Sequence, residues 1–165
     1  MKAQLSFDYY FAVITFVIFV SSLFFRLVTF FPLYSDELTN QRLRSEAYQI
    51  SEILINDVGY PANWNLDVAN AKRLGLSDET RNKTNIISTS KATAFNSLCT
   101  SNYNRALELL DIKDGFLASL VKIKQPPDQF QCLPSQVSAK IRAEVRRIVA
   151  FDDGTYGNLT VSMWK

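Results

Sequence analysis

The residues that most often carry out catalysis or bind metals are scarce in this sequence. Its 165 residues include two cysteines and no histidine, so the commonest general base and metal ligand is missing. No serine or cysteine has a histidine to activate it as a nucleophile, and no glycine-rich phosphate loop occurs. We therefore expect no catalytic residue, no cofactor and no small-molecule substrate. A hydrolase that uses carboxylates alone is the enzyme class left open.

Two adjacent carboxylates and the two cysteines are the remaining candidates for a metal site. Asp152 and Asp153 precede Gly154 without the D-x-D-x-D-G spacing of a calcium loop, so we expect a hairpin turn there. Cys99 and Cys132 fit neither a zinc pattern nor a CxxC redox pair. We therefore expect no metal. If the domain lies outside the cell, these cysteines are candidates for a disulfide, and two separate buried thiols are the alternative.

A row of basic residues near the C-terminus is a candidate surface for polyanions. Lys140, Arg142 and Arg146 share one face of a predicted strand, with Arg147 beside them. Glu144 interrupts the row and no aromatic residue alternates with it, which favours a solvated strand face. The net charge of +2 also provides no strong attraction to nucleic acid. We expect no nucleic-acid partner.

The most unusual charge is that of Asp8, at the start of a long apolar run. No charge occurs from Tyr9 to Phe25, and after Arg26 the run continues to Phe31. As a helix this run would be about 35 Å long, enough to cross a hydrocarbon core of about 30 Å. A buried helix of a soluble protein is the alternative. A secretory signal peptide is disfavoured, because the run is too long and no A-x-A cleavage site follows it.

The residues before this run resemble a known processing signal. The sequence KAQLSFD at residues 2–8 resembles the class III signal peptide of archaeal type IV pilin-like proteins. The resemblance implies cleavage between Ala3 and Gln4 by a prepilin peptidase on the cytoplasmic side, with the apolar helix retained. Two positions differ, since the family more often has glycine at the position of Ala3 and glutamate at that of Asp8.

The resemblance also implies a role for Asp8 in subunit assembly. Cleavage would make Gln4 the N-terminal residue and Asp8 the fifth residue of the mature chain. A free ammonium group and a carboxylate at the edge of a membrane are both costly unless they are paired. In a filament, the ammonium of Gln4 would pair with Asp8 of a neighbouring subunit and set the register. The alternative is that Asp8 caps the N-terminus of its own helix.

This interpretation divides the chain into four parts. They are a leader at residues 1–3, a transmembrane and filament-core helix at 4–31, an amphipathic continuation at 32–58 and an extracellular α+β domain at 59–165. The continuation is predicted from apolar residues at helical spacing, at positions 43, 47, 50 and 54. Pro32 either kinks one long helix or separates two. A long N-terminal helix is typical of pilin-like folds, and an independent helix of the outer domain is the alternative.

The outer domain is predicted to combine short helices with an antiparallel sheet. We expect a polar exposed loop at 77–89, helices at 90–99 and 102–110, a central strand at 116–124, a proline-rich loop that contains Cys132, and a strand at 137–151. A turn at 152–158 and a last strand that contains Trp164 then complete a C-terminal β-hairpin. The predicted fold class is α+β and pilin-like.

Together these features predict a structural subunit, major or minor, of an archaeal type IV pilus or a related surface filament. The resemblance implies three partners: the membrane, the prepilin peptidase and other pilin subunits. It places the N-terminus in the cytoplasm and the C-terminal domain outside the cell. The sequons at Asn82 and Asn158, which are candidate N-glycosylation sites, favour the same orientation.

Two alternative functions remain open at this point. One is a single-pass surface protein whose outer domain binds a ligand or a partner. The other is a minor pilin for nucleic-acid uptake, which would bind DNA through Lys140 and Arg142. The second alternative predicts salt-sensitive DNA binding, since phosphate contacts release counterions.

Overall fold

The computed structural model of this chain describes residues 2–78, 85–135 and 143–165. Within these ranges, side chains are described from residue 7 onward, apart from that of residue 33. Four positions of the predictions above lie outside the described residues: Asn82, Lys140, Arg142 and position 137, where a strand was predicted to begin. The predictions for these four positions stay predictions.

The described residues form helices and strands in the order expected of an α+β chain with a long N-terminal helix. In chain order they are α1 (Lys2–Asn56), a 3-10 helix (Val68–Asn70), β1 (Ile86–Ile87), α2 (Thr89–Ser101), α3 (Tyr103–Leu109), β2 (Gly115–Lys122), β3 (Gln129–Cys132), β4 (Ala143–Phe151) and β5 (Tyr156–Trp164). Two compact units contain them, Met1–Thr39 and Asn40–Lys165. The predicted fold class is confirmed.

Helix α1 runs without interruption through Pro32, so the predicted segment 4–31 and residues 32–56 of the predicted continuation 32–58 belong to one helix. Its last four turns carry the predicted apolar positions, which are all buried: Leu43, Ala47, Ile50 and Leu54. Spacings of three and four residues place these side chains on one face of the helix. The amphipathic prediction for this part of the chain is therefore confirmed. Helix α1 ends at Asn56.

The five strands form one sheet in the order β1-β4-β5-β2-β3. Strands β2 to β5 pair antiparallel, whereas the two-residue β1 pairs parallel with the end of β4. The sheet is therefore mixed, where a purely antiparallel sheet was expected. Strand β2 lies between β5 and β3, which confirms the prediction of a central strand. Strands β4 and β5 form the predicted C-terminal hairpin.

Side chains alternate between two faces of this sheet. Even-numbered residues of β2 and odd-numbered residues of β4 and β5 point to the inner face, where most of them are buried. The other residues point to the outer face, where most are half-buried or exposed. The odd-numbered inner face of β4 was predicted from the sequence, and its described part, Ala143–Phe151, confirms that prediction.

Three local predictions are wrong, and in each case the pairing of strands decides the structure. Cys132 does not lie in a loop, since it ends β3, which pairs with β2. The predicted exposed loop at 77–89 contains β1 and the fully buried Ile87. The hairpin turn is shorter than predicted, because β5 begins at Tyr156 and includes Asn158.

Trp64 anchors the irregular segment between α1 and β1. Its side chain is fully buried, and its indole Nε1 donates a hydrogen bond to the carbonyl oxygen of Gly75 at 2.9 Å. A Cβ at Gly75 would lie 2.1 Å from the carbonyl oxygen of Asp57. Only glycine therefore permits this close approach of two backbone segments.

Candidate functional site

The first half of α1 exposes large apolar side chains on every side. In residues 7–31, the exposed fraction of these side chains lies between 41% at Val13 and 77% at Phe7. The consecutive exposed residues 17–20 point in four directions, because successive residues of a helix are about 100° apart. A helix that is apolar all round is typical of a segment surrounded by lipid or by other protein.

The length and composition of α1 suit a bilayer. Among the described residues, one helix is long and apolar enough to cross a membrane, and it contains residues 7–56. Removing a phenylalanine side chain from water is favourable by about 2 kcal/mol, and residues 7–31 contain eight phenylalanines. This favours membrane anchoring of the chain.

The two threonine hydroxyl groups within the apolar segment find partners in their own helix. Thr15 Oγ1 donates to the carbonyl oxygen of Phe11 at 2.9 Å, and Thr29 Oγ1 donates to that of Phe25 at 2.8 Å. A hydroxyl without a partner is costly in hydrocarbon. These hydrogen bonds make both threonines compatible with an apolar surrounding.

Asp8 lies in α1 beyond its first turn. The helix begins at Lys2, and its first turn, which includes Ala3 and Gln4, contains no acidic residue. A capping side chain has to lie at or just before the first helical residue. In the chain with its leader attached, Asp8 is therefore not at a capping position, and the capping alternative for a chain that begins at Gln4 stays a prediction. The Asp8 side chain is exposed instead.

Arg26 is a cation inside the apolar segment, and no role was predicted for it. Its side chain is exposed between the exposed side chains of Phe25 and Leu27. Along the helix axis it lies about 27 Å from Asp8, close to the thickness of a hydrocarbon core. A long arginine side chain at this depth can extend to the membrane surface. The two charges thus bound an uncharged stretch, Tyr9–Phe25, that is about as long as a hydrocarbon core is thick.

Cys99 and Cys132 form a disulfide. Cys99 lies near the C-terminal end of α2 and Cys132 ends β3, so the bond joins a helix to an edge strand of the sheet. Both residues are buried, with exposed fractions of 3% and 0%. The structure thus selects the disulfide over the alternative of two separate thiols.

A polar cluster at the hairpin turn was not predicted. The Lys122 side chain is 1% exposed, and its Nζ donates to Asp153 Oδ2 at 2.6 Å and to Thr89 Oγ1 at 3.0 Å. The same Nζ lies 4.4 Å from the centroid of the Phe151 ring. These contacts satisfy a buried ammonium group. Alternation along β2 places the even-numbered Lys122 on the inner face. Burial of a charged side chain is unfavourable without a partner, and the partner of Lys122 could not be predicted from the sequence.

Both carboxylates of the turn have structural partners. Asp152 accepts hydrogen bonds from the backbone N–H of Thr89 at 3.0 Å and from Thr89 Oγ1 at 2.5 Å, at the N-terminus of α2. The Lys122 ammonium and then Thr155 hold the pKa of Asp153 far below its ordinary value by hydrogen bonding to the carboxylate. Within the described ranges, no group of three or more acidic or cysteine side chains could hold a metal ion.

The described part of the basic row is divided between the two faces of β4. Arg146 points outward and pairs with Glu144 at 2.6 Å. Arg147 points inward, pairs with Glu52 at 2.6 Å and lies 5.2 Å from the centroid of the Tyr48 ring. The two arginines therefore form no common cationic surface.

Asn158 lies on the outer face of β5 and is exposed. It is directly opposite Ile148 of β4 and Val121 of β2. The sequon thus lies on the sheet itself, although its asparagine was expected at the end of a turn.

Comparisons of the chain with protein-family models, with curated proteins and with solved structures find no match.

Proposed function

We propose that this chain is a structural subunit of a type IV pilin-like surface filament, processed at its N-terminus by a prepilin peptidase. Before assembly, residues 4–31 anchor the chain in the membrane, with the N-terminus in the cytoplasm and residues 59–165 outside. In the filament, the same apolar surface packs against copies of itself. The observation that carries the proposal is the exposure of apolar side chains on all sides of α1 immediately after the KAQLSFD segment.

The apolar surface of α1 suits both environments that the proposal requires. Lipid surrounds a single helix on all sides, and so do neighbouring helices in a bundle. A helix with a narrow apolar stripe would leave polar side chains facing lipid before assembly. Between Asp8 and Arg26, exposed apolar side chains point to all sides of the helix, so no charged side chain of this stretch faces lipid before assembly or a neighbouring helix after it.

Asp8 distinguishes a filament subunit from a simple anchor. A membrane anchor gains nothing from an exposed carboxylate at the edge of its apolar segment, where a charge is costly. Cleavage after Ala3 would create an ammonium group at Gln4, which can pair with Asp8 of a neighbouring subunit. In this pair each charge compensates the other at the membrane edge, and the pairing favours one axial register between neighbouring helices.

The N-terminus of the mature chain is the first test. We expect intact-mass measurement of protein extracted from membranes to show a chain that begins at Gln4. Ala3→Gly should be processed in the same way, whereas Ala3→Ile should retain the leader, because the resemblance implies a small residue before the cut. Retention of residues 1–3 in the unmodified chain would contradict the proposal.

Substitution of Asp8 tests the assembly step separately from processing. Asp8→Asn keeps the size of the side chain and removes its charge, so we expect normal cleavage. Incorporation into filaments should fall at least about tenfold, because the ammonium group at Gln4 is then left unpaired at the membrane, which costs about 2–3 kcal/mol. Asp8→Glu keeps the charge and should retain incorporation. The measurement is the amount of the protein in filaments sheared from cells.

Two results would favour the anchored surface protein instead. One is a correctly processed chain that never occurs in the sheared filaments. The other is equal filament yield from Asp8→Asn and the unmodified chain, which would remove the proposed pairing as the basis of assembly.

A further inference from the structure

Three side chains lie in a row on the outer face of β5. They are Tyr156, Asn158 and Thr160, which point to the same side because side chains alternate along a strand. Tyr156 is 65% exposed and Asn158 is also exposed. In the part of the chain that the structure describes, the Asn158 amide has no hydrogen-bond partner. It is therefore accessible on a rigid strand.

Apolar side chains surround this amide on the neighbouring strands. Ile148 of β4 and Val121 of β2 are its direct cross-strand neighbours. Side chains at such paired positions lie about 5 Å apart at their Cβ atoms. Ile148 is 76% exposed. With Tyr156, these residues form an apolar patch around the Asn158 amide, in which Tyr156 and Ile148 are exposed and Val121 is half-buried, and we call it the sequon patch.

We propose that Asn158 is N-glycosylated and that its first sugar packs on the sequon patch, against the ring of Tyr156. Alternate residues on a strand are about 6.6 Å apart, so a sugar attached to the Asn158 amide nitrogen reaches the Tyr156 ring. The C–H groups on one face of a pyranose suit the negative face of an aromatic ring. The sugar would also remove part of Ile148 from water.

The modification is a group transfer from a lipid-linked sugar phosphate. A C–N bond forms between the amide nitrogen of Asn158 and the anomeric carbon, and the bond from that carbon to the phosphate oxygen breaks. The amide loses one proton, which a base of the transferase accepts and passes to water, and the lipid phosphate leaves with the electron pair of the broken bond. Thr160, on the same face, supplies the hydroxyl of the N-x-T acceptor sequence.

The sequence contains an internal comparison. The other sequon, at Asn82, has Thr80 two residues earlier, where the Asn158 sequon has Tyr156. Stacking of a sugar on a preceding aromatic ring is therefore specific to Asn158. This inference does not depend on filament assembly, and it requires only that residues 59–165 lie outside the cytoplasm.

Mass mapping of peptides tests the modification. In the full chain extracted from its own cells, we expect the peptide that contains Asn158 to carry the mass of a saccharide. Asn158→Gln should remove that mass, and Asn82→Gln should leave it unchanged. An unmodified Asn158 peptide in the protein from these cells would overturn the proposal.

Thermal unfolding tests the packing of the sugar. For the full chain in detergent, we expect enzymatic or chemical removal of the glycan to lower the unfolding midpoint by about 3 °C, the shift expected from one aromatic contact. In Tyr156→Thr, which keeps the sequon and the strand, the same treatment should change the midpoint by less than about 1 °C. An equal shift in both proteins would overturn the stacking on Tyr156.

Discussion

Removal of the disulfide should strongly destabilise the outer domain. The bond joins Cys99 and Cys132, which are 33 residues apart in sequence. In the chain-entropy account, a closed loop of this length restricts the unfolded chain by about 4 kcal/mol at 25 °C. The total free energy of unfolding of a domain is about 5–15 kcal/mol. The double variant Cys99→Ala/Cys132→Ala should therefore unfold at a much lower denaturant concentration than the unmodified chain.

The assay uses the full chain in detergent, with guanidinium unfolding followed by tryptophan fluorescence. Trp64 is fully buried and Trp164 is 8% exposed, so both report loss of the domain core. Replacing two buried cysteines also removes packed sulfur atoms. The unmodified chain, unfolded with and without a reductant, provides the control, because reduction breaks the bond and keeps every side chain.

Burial of the bond gives a second expected result. Because Cys99 and Cys132 are 3% and 0% exposed, a reductant should reach the sulfur atoms only after local opening of α2 or β3. Reduction should therefore be slow in buffer and fast in mild denaturant. If the double variant and the reduced chain both lost less than about 1 kcal/mol, the loop-closure reasoning would be refuted.

The remaining predictions concern the polar contacts of the core. Lys122→Met should destabilise the domain more than Lys124→Met, because the Lys122 side chain is 1% exposed whereas that of Lys124 is 39% exposed. Urea unfolding at pH 7 measures the free energy of unfolding of both variants. The folded-state pKa of Asp153 is lowered, so the stabilisation from its pair with Lys122 is present above about pH 4 and is lost as the pH falls towards the lowered pKa. The difference between Lys122→Met and the unmodified chain should stay constant from pH 7 to about pH 4 and shrink from there to about pH 2; a difference that stays constant down to pH 2 would contradict this cause. Tyr103→Phe removes the hydrogen bond from the hydroxyl to the Phe116 carbonyl oxygen at 2.5 Å and should cost about 1 kcal/mol in the free energy of unfolding; no change would show that this bond contributes nothing.

Elements with a strong local pattern were predictable from the sequence. The uncharged run before Arg26 predicts a helix that suits a membrane, and the structure has one exposed apolar helix there. Alternation along Ala143–Phe151 predicts a strand with its odd-numbered side chains inward, and the structure agrees. In both cases the information lies in neighbouring residues, because the period of side-chain direction is a local property of the backbone.

Short elements were not predictable, since their stability comes from distant partners. Strand β3 has four residues and no clear alternation, and it exists because it pairs with β2 and its Cys132 bonds to α2. Strand β1 has two residues and is held by pairing with the end of β4. Fewer than five residues give too little local signal to distinguish a strand from a loop.

By itself, the sequence determined the long apolar helix, the amphipathic continuation, the C-terminal hairpin and the charge of Asp8 at the edge of the apolar segment. The tertiary structure alone decided that Cys99 and Cys132 meet, that a lysine on β2 is buried beside Asp153, and that Asn158 lies between Ile148 and Val121. The reason is physical. Periodicity assigns a side chain to a face of its own element, but only the pairing of strands determines which side chains become its neighbours.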